Sequence, residues 1–174
     1  ALTRVAVLAS CVRKVAPFGA FADLGGRPVS LTSFSTSIGL LRARAQANNC
    51  QTKTILTPDP AASFLARTTG RSEAFVMDDI LLASLIAGSP TPSDWRIIDD
   101  SLRTEPYGLI LRKGDPEFKA LVDKTLAAMM KSGEFQELYA KWFTRPIPPK
   151  NVNLNFPMTA PLKDAVANPN DKGV

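Results

Sequence analysis

The sequence predicts an α/β fold in which a mainly parallel sheet is flanked by helices. Short apolar, β-branched segments alternate with segments of helical spacing, which is typical of consecutive βα units. Glycine, proline and aspartate punctuate these segments and set their ends. The 174 residues, 45% of them hydrophobic, are enough to enclose a core.

The first part of the chain contains four predicted strands. They cover residues 4–12, 27–32, 53–57 and 73–77. A short helical turn at residues 22–24 precedes the second strand, and a helix with Ile38, Leu41 and Ala45 on one face follows it. A short helix is expected within residues 58–70, and residues 80–87 form a helix that ends at Gly88 and Pro90.

The composition changes at about residue 107. After "WRIID" and a polar loop, residues 107–113 are predicted to form a strand. Asp115 then caps a helix that has Pro116 at its first position, and Gly133 separates this helix from a second one. Both helices carry apolar stripes: Phe118, Leu121, Val122, Thr125, Leu126 and Met129 on the first, and Phe135, Leu138, Tyr139, Trp142 and Phe143 on the second. The proline-rich tail is expected to be extended.

Composition excludes several function classes. Because the chain has no histidine, it lacks the commonest general base and metal ligand, and no cofactor or metal site is predicted. The formal charge of +5 is spread along the chain without a basic run, so nucleic-acid binding is not expected. No apolar run is long enough for a membrane helix. "VLASC", which is similar to a lipoprotein cleavage box, has too short an apolar segment and is interpreted as a strand. Cys11 and Cys50 are either plain thiols or, in an exported protein, a disulfide.

Paired carboxylates follow the apolar strand "AFVM". In a parallel sheet Asp78 and Asp79 would emerge at the edge where ligands bind, although either could instead cap the following helix. We favour a division in which Asp79 caps and Asp78 binds. The hydroxyls of "SFSTS" have the same two interpretations. An enzyme that uses the two aspartates is not expected, since no nucleophile motif or phosphate-binding loop accompanies them.

Four segments resemble one known family in order and content: "FADLGGRPVSLTS", "GRSEAFVMDDILLA", "YGLILRKGDPEFKALVDKTLAAMMKSGEFQELYAKWF" and "PIPPKNVNLNF". The sequence resembles the periplasmic substrate-binding proteins of polar amino acid ABC transporters, solute-binding family 3, most closely the glutamate/aspartate-binding type. The resemblance implies the periplasmic-binding-protein type II fold, a two-lobed clamp. It also implies a polar amino acid ligand, an ABC permease as partner and a periplasmic location, although no signal peptide is visible.

The resemblance also implies a division of the chain. Residues 1–106 correspond to lobe 2, residues 107–145 return to lobe 1, and residues 146–174 form the tail. The N-terminal half of lobe 1, which holds the family's clamp for the ligand α-carboxylate, is expected to be missing.

Matching positions suggest a set of ligand contacts. Asp78 would accept the ligand ammonium, Ser33, Ser35 and Thr36 would contact the ligand from a helix N-terminus, and Tyr107 and Gly108 would mark a hinge. Two positions depart from the family pattern, since Phe34 stands in place of glycine and Pro60 in place of histidine.

These implications lead to two predicted functions. The first is a truncated amino-acid-binding component of ABC transport that binds ligand weakly or not at all. The alternative is a remnant without ligand that forms a homodimer through residues 115–143, whose apolar stripes would be left uncovered.

Overall fold

The computed structural model describes residues 2–171, with side chains from residue 6 onward. The strands are β1 Leu2–Arg13, β2 Pro28–Thr32, β3 Lys53–Thr57, β4 Ala74–Asp78 and β5 Trp95–Gly108. The helices are α1 Thr36–Ala47, α2 Pro60–Thr68, α3 Asp79–Ala87, α4 Pro116–Ser132, α5 Glu134–Phe143 and α6 Ala160–Ala167, with 3-10 turns at Phe21–Leu24 and Pro92–Asp94. The chain divides into a compact unit, Val7–Thr104, and a second unit made of the described residues on either side of it.

The sheet has the order β3-β2-β4-β1-β5. β2 is parallel to both β3 and β4, whereas β1 is antiparallel to β4. The predicted α/β fold is therefore confirmed, with a mixed open sheet. None of the helices in the described part of the chain is long and apolar enough to cross a membrane.

Side chains that alternate along the strands fill two apolar layers, one on each face of the sheet. One layer contains Val29, Leu31 and Val76 with Leu41 of α1. The other contains Phe75 with Phe64 of α2 and Leu82 of α3. This alternation follows from the two-residue period of a strand and places helices on both faces of the sheet.

Both cysteines are free thiols. Cys11 lies in the layer around Phe75, and burial raises the pKa of its thiol to about 12. Since the thiolate is the reactive form, Cys11 is inert at neutral pH.

Two predictions for the C-terminal region are wrong. The polar residues 99–106 are part of β5, and residues 109–113 lie outside any strand. β5 is at the edge of the sheet, where backbone pairing tolerates polar side chains. The tail is not extended throughout, because α6 forms within it and buries Leu162, Ala165 and Val166 against Met130 and Tyr139.

The predicted helix signals around α4 are confirmed. The Asp115 carboxylate accepts a hydrogen bond from the Phe118 N–H at 3.0 Å, and Pro116 is the first helical residue. Gly133, with φ 88°, ends α4 in the left-handed conformation that glycine adopts most easily.

Candidate functional site

The carboxyl ends of β2, β3 and β4 meet at one edge of the sheet because these three strands are parallel. Ser30 pairs with Phe75 across β2 and β4, so Ser33 and Asp78, each three residues further on, reach the same level. Thr32 pairs with Thr57 across β2 and β3. This edge, formed by residues 33–36, 57–60 and 78, is the candidate site.

The turn between β2 and α1 is fixed by backbone hydrogen bonds. The Ser33 N–H donates to the Thr57 carbonyl at 2.8 Å, and the Ser35 N–H donates to the Thr32 carbonyl at 3.3 Å. Ser35 is the N-cap residue of α1, but its side chain makes no capping hydrogen bond. Its Oγ has no hydrogen-bond partner among the described residues. The turn therefore places a helix N-terminus at the edge, which suits an anionic group, and beside it a buried Ser35 hydroxyl that no described residue engages.

The two aspartates differ from the predicted division of roles. The helix α3 begins at Asp79, so Asp78 holds the N-cap position, although its side chain makes no capping hydrogen bond. The Asp79 carboxylate accepts from the Ile80 N–H at 2.7 Å. The prediction that Asp79 is the N-cap residue is thus wrong, because Asp78 holds that position. The Asp79 carboxylate nevertheless accepts from a backbone N–H in the first turn of α3. Asp78 is 9% exposed, at the end of a buried strand.

Both departures from the family pattern lie at this edge. Phe34 has φ 61° and its ring is fully exposed, so a phenylalanine adopts the left-handed conformation that favours glycine. Pro60 is the first residue of α2, directly after Asp59, whose carboxylate accepts from the Ala62 N–H at 2.7 Å. Pro60 therefore favours the start of α2 through its fixed backbone angle, and its side chain has no polar group for a ligand.

Replacing Phe34 with glycine is expected to stabilise the chain by about 0.5–1 kcal/mol. The left-handed conformation costs a residue with a Cβ about 1–2 kcal/mol. The greater freedom of glycine in the unfolded chain offsets about 0.4–1 kcal/mol of that gain. A urea titration of Phe34→Gly beside the unmodified chain measures the difference.

The matched control is Asn49→Gly. Asn49 has φ 50°, but asparagine tolerates the left-handed region, so this change should alter stability by only a few tenths of a kcal/mol. A loss of stability in Phe34→Gly would show that the exposed ring makes a contribution larger than the backbone strain.

The predicted hinge residues lie elsewhere. Tyr107 and Gly108 are the last two residues of β5 and belong to the second compact unit. Their role as a hinge stays a prediction, as do the ligand contacts of Ser33, Ser35, Thr36 and Asp78.

Sequence reasoning missed a cluster of buried and half-buried hydroxyls that extends behind the edge, formed by Ser30, Thr32, Thr57, Ser63 and Ser72. Ser63 of α2 contacts both Thr32 and Thr57 through its hydroxyl. The Thr57 hydroxyl also donates to the Asp59 carbonyl at 3.2 Å. The cluster fixes the β3–α2 loop against β2. The only signal in the sequence is that polar residues alternate with apolar ones along the strands. This alternation does not show whether the polar residues face the interior or the solvent.

No group of three or more acidic or cysteine side chains within residues 2–171 could hold a metal ion. The edge instead combines one buried carboxylate with hydroxyls and helix amides. Such a set can bind a small molecule that has both a cation and an anion.

A family model supports this interpretation over most of the chain. Residues 12–145 match the bacterial extracellular solute-binding proteins, family 3. The chain belongs to this family. The resemblance seen in the sequence is thereby confirmed.

Curated relatives of this solute-binding protein carry glutamate and aspartate in their names. The L-glutamate/L-aspartate-binding protein of Pseudomonas aeruginosa is 42% identical over 160 residues, which are 92% of this chain and 53% of the relative. The glutamate/aspartate import solute-binding protein of Salmonella typhimurium is 42% identical over 154 residues, or 88% of this chain and 51% of the relative. The chain spans about half the length of these relatives.

Solved structures agree on the fold, periplasmic-binding-protein type II. An ancestral arginine-binding protein bound to glutamine aligns with a TM-score of 0.68 and 26% identity, covering 82% of this chain and 62% of the other. A periplasmic binding protein from Brucella ovis with glutathione bound aligns with a TM-score of 0.71 at 20% identity, covering 78% of this chain and 43% of the other. The second likeness concerns the fold alone.

Proposed function

We propose that this solute-binding protein provides the ammonium-binding half of a glutamate/aspartate site for ABC import, in the periplasm, and binds ligand only weakly by itself. The observation that carries the proposal is the placement of Asp78 and of the α1 N-terminus at one sheet edge. The 42% identity to glutamate/aspartate-binding proteins supports the ligand class. Delivery to an ABC permease follows from the same relationship. No catalytic step is proposed.

The expected weakness has a physical reason. Asp78 would bind the ligand ammonium, and Ser33, Ser35 and Thr36 would contact a carboxylate. The resemblance implies that the arginine and hydroxyl clamp for the other carboxylate lies in the part of the family that this chain does not match. One missing charge-assisted contact costs about 1.5–3 kcal/mol, or roughly one to two decades of affinity.

We therefore expect a millimolar dissociation constant for L-glutamate or L-aspartate. Nuclear magnetic resonance can detect it, since backbone amide signals of residues 33–36 and 78 should shift as ligand is added. Asp78→Asn should weaken binding at least tenfold, because it removes the charge that pairs with the ammonium. Asp99→Asn, an exposed aspartate of β5, is the matched control and should bind as the unmodified chain does.

Two results would contradict the proposal. A micromolar affinity would mean that the edge binds the ligand without further help. Signal shifts only at residues other than 33–36 and 78 would show that the ligand does not bind at this edge. The absence of any shift at 20 mM ligand, about tenfold above the expected dissociation constant, would show the same.

An open apolar groove between α4 and α5, lined in part by Leu138 and Trp142, favours the second candidate function, a homodimer through residues 115–143. The side chains of Leu138 and Trp142 on α5 are 44% and 45% exposed, so the predicted stripe is incompletely covered. Sedimentation velocity over a range of concentrations tests this candidate. A monomer at the highest concentration would exclude it.

A further inference from the structure

The compact unit that carries the candidate site also contains an open cavity of about 560 Å³ between α2 and α3. Phe64 and Leu65 of α2, Leu85 of α3 and Trp95 give the cavity apolar walls. Of the described residues that line it, Arg13 alone carries a charge. Small-molecule sites of about 300–1,000 Å³ combine apolar walls with a few polar groups in this way.

The charged end of the cavity lies far from the candidate site. β1 runs antiparallel to β4, with Leu8 opposite Asp78 and Cys11 opposite Phe75. Arg13, two residues after Cys11, is therefore at the end of the sheet opposite to the edge that carries Asp78. A group bound to Arg13 would leave that edge free.

Two guanidinium groups lie against the Trp95 ring at this end of the sheet. The Cζ atoms of Arg13 and Arg67 lie 5.2 Å and 5.0 Å from the ring centroid. Neither guanidinium forms an ion pair with a carboxylate in the part of the chain that the structure describes. Glu73, whose charge acts on Arg67, pairs with Arg27 at 3.0 Å instead. Two cations that lack a counter-ion make the potential beside the cavity positive, which favours an anion there.

Trp95 adds an unused hydrogen-bond donor to the cavity wall. Its side chain is 7% exposed and packs edge-on against Phe64, with the ring centroids 5.5 Å apart. Its Nε1–H finds no acceptor within the described residues. Since a buried indole N–H usually has a partner, Trp95 has hydrogen-bonding capacity that the chain does not satisfy.

We propose that this cavity binds a small carboxylic acid that has an aromatic or branched apolar body. The carboxylate would accept charge-assisted hydrogen bonds from Arg13, and the apolar body would cover Phe64 and Leu85. A free amino acid suits the cavity poorly, because its ammonium would meet two guanidinium groups and no acidic side chain among the described lining residues. The ligand thus differs in class from the solute proposed for the Asp78 edge, and either proposal can fail alone.

Nuclear magnetic resonance of the 174-residue chain tests the proposal with 3-phenylpropionate as the probe. The chain has two tryptophans, and Trp142→Phe assigns their indole N–H signals. The Trp95 signal should shift saturably. L-Phenylalanine, which adds an ammonium to the probe, and 3-phenylpropan-1-ol, which lacks its charge, should each bind at least about fivefold more weakly. L-Glutamate should leave the Trp95 signal unchanged, whether or not it binds at Asp78. No shift of the Trp95 signal, or a shift of the Trp142 signal alone, would overturn the proposal.

Two substitutions at one exposed position isolate the effect of charge. Leu65 lines the cavity and is 61% exposed, so Leu65→Glu and Leu65→Lys should both keep the fold. The glutamate variant should bind the probe at least about tenfold more weakly than the lysine variant, because its carboxylate repels that of the probe. Equal affinities of these two variants would contradict the proposal.

Arg13→Gln should weaken binding of the probe at least about fivefold, since it removes the charge that pairs with the carboxylate. The matched control is Arg71→Gln. Arg71 is exposed and is not among the residues that line the cavity, so the loss of its equal charge should leave the affinity unchanged. If Arg13→Gln binds 3-phenylpropionate as tightly as the unmodified chain does, the proposal is wrong.

Discussion

Replacing Ser30 with alanine is expected to lower the free energy of unfolding by about 2 kcal/mol. The Ser30 hydroxyl lies 3.0 Å from the Ser63 carbonyl and 3.2 Å from the Ala74 carbonyl, and it accepts a hydrogen bond from the Ser72 hydroxyl at 3.0 Å. The side chains of Ser30, Ser63 and Ser72 are fully buried. Alanine at position 30 would leave the Ser72 hydroxyl without a partner and out of reach of water, which costs more than the bond itself contributes.

A double variant separates this cost from a simple loss of packing. Ser30→Ala together with Ser72→Ala removes both partners, so it should cost less than the sum of the two single variants, by about 1 kcal/mol. Urea titrations followed by circular dichroism give all three values. Ser84→Ala is the matched control, since the Ser84 hydroxyl donates to the Ile80 carbonyl of its own helix at 2.9 Å and the change should stay within about 0.5 kcal/mol. Additive losses in the double variant would show that the two hydroxyls act independently.

The hydroxyl cluster matters for the candidate site because it joins three of the elements that form the edge. Ser30 belongs to β2, Ser63 to α2, and Thr57 ends β3. The loop that carries Asp59 and Pro60 is fixed to β2 by these contacts. A binding edge needs loops in one position, and the cluster provides this with one member, Thr57, at the edge and the others behind it.

Elements with strong local signals could be predicted from the sequence. "KTILT" is β3 as predicted, and the Asp115–Pro116 start of α4 has the expected hydrogen bond. The predictions of β3 and of the α4 start both depend on residues that are neighbours in the chain. The β5 and α6 predictions failed because their structure depends on partners far away in sequence. β5 is a strand since it pairs at the sheet edge, and α6 is a helix since Leu162 and Val166 reach α4 and α5.

The candidate site shows the same limit. Strand order puts Asp78 at the carboxyl edge, and that much follows from an apolar segment before an acidic residue. Two features did not follow: the unused Ser35 hydroxyl and the left-handed backbone of Phe34. An N-cap serine normally uses its oxygen for the helix, and phenylalanine carries no preference for positive φ. The one indication in the sequence was that the family pattern has glycine at the position of Phe34, and glycine is the residue that favours a left-handed turn.

Arg67 marks a second position at which the chain departs from what its environment favours. It lies three residues after Phe64 in α2, so helical spacing places it on the buried face, where it is 5% exposed. Its guanidinium donates to the Ser72 carbonyl at 3.2 Å and lies 5.0 Å from the Trp95 ring, while its Nε has no hydrogen-bond partner in the described part of the chain. No carboxylate among the described residues pairs with it, because nearby Glu73 pairs with Arg27 at 3.0 Å. Burial lowers the pKa of Arg67 below its ordinary value, yet an arginine stays charged at neutral pH.

Arg67→Met is therefore expected to raise the free energy of unfolding by about 1–2 kcal/mol. Desolvating an unpaired charge costs several kcal/mol. The ring contact and the single hydrogen bond together return about 2 kcal/mol. Methionine keeps most of the volume and adapts to irregular space, so no large cavity forms. Thermal unfolding should show a midpoint about 2–8 °C higher.

Arg13 provides the matched control for Arg67. Its guanidinium lies 5.2 Å from the same Trp95 ring, but its side chain is exposed, so Arg13→Met should change stability by less than about 0.5 kcal/mol. If Arg67→Met is stabilising and Arg13→Met is neutral, burial of the charge sets the cost, since both variants lose a contact with the ring. If Arg67→Met instead destabilises the chain by 1 kcal/mol or more, the bond to Ser72 is worth more than the desolvation of the charge. That outcome would tie Arg67 to the hydroxyl cluster, because Ser72 also donates to Ser30.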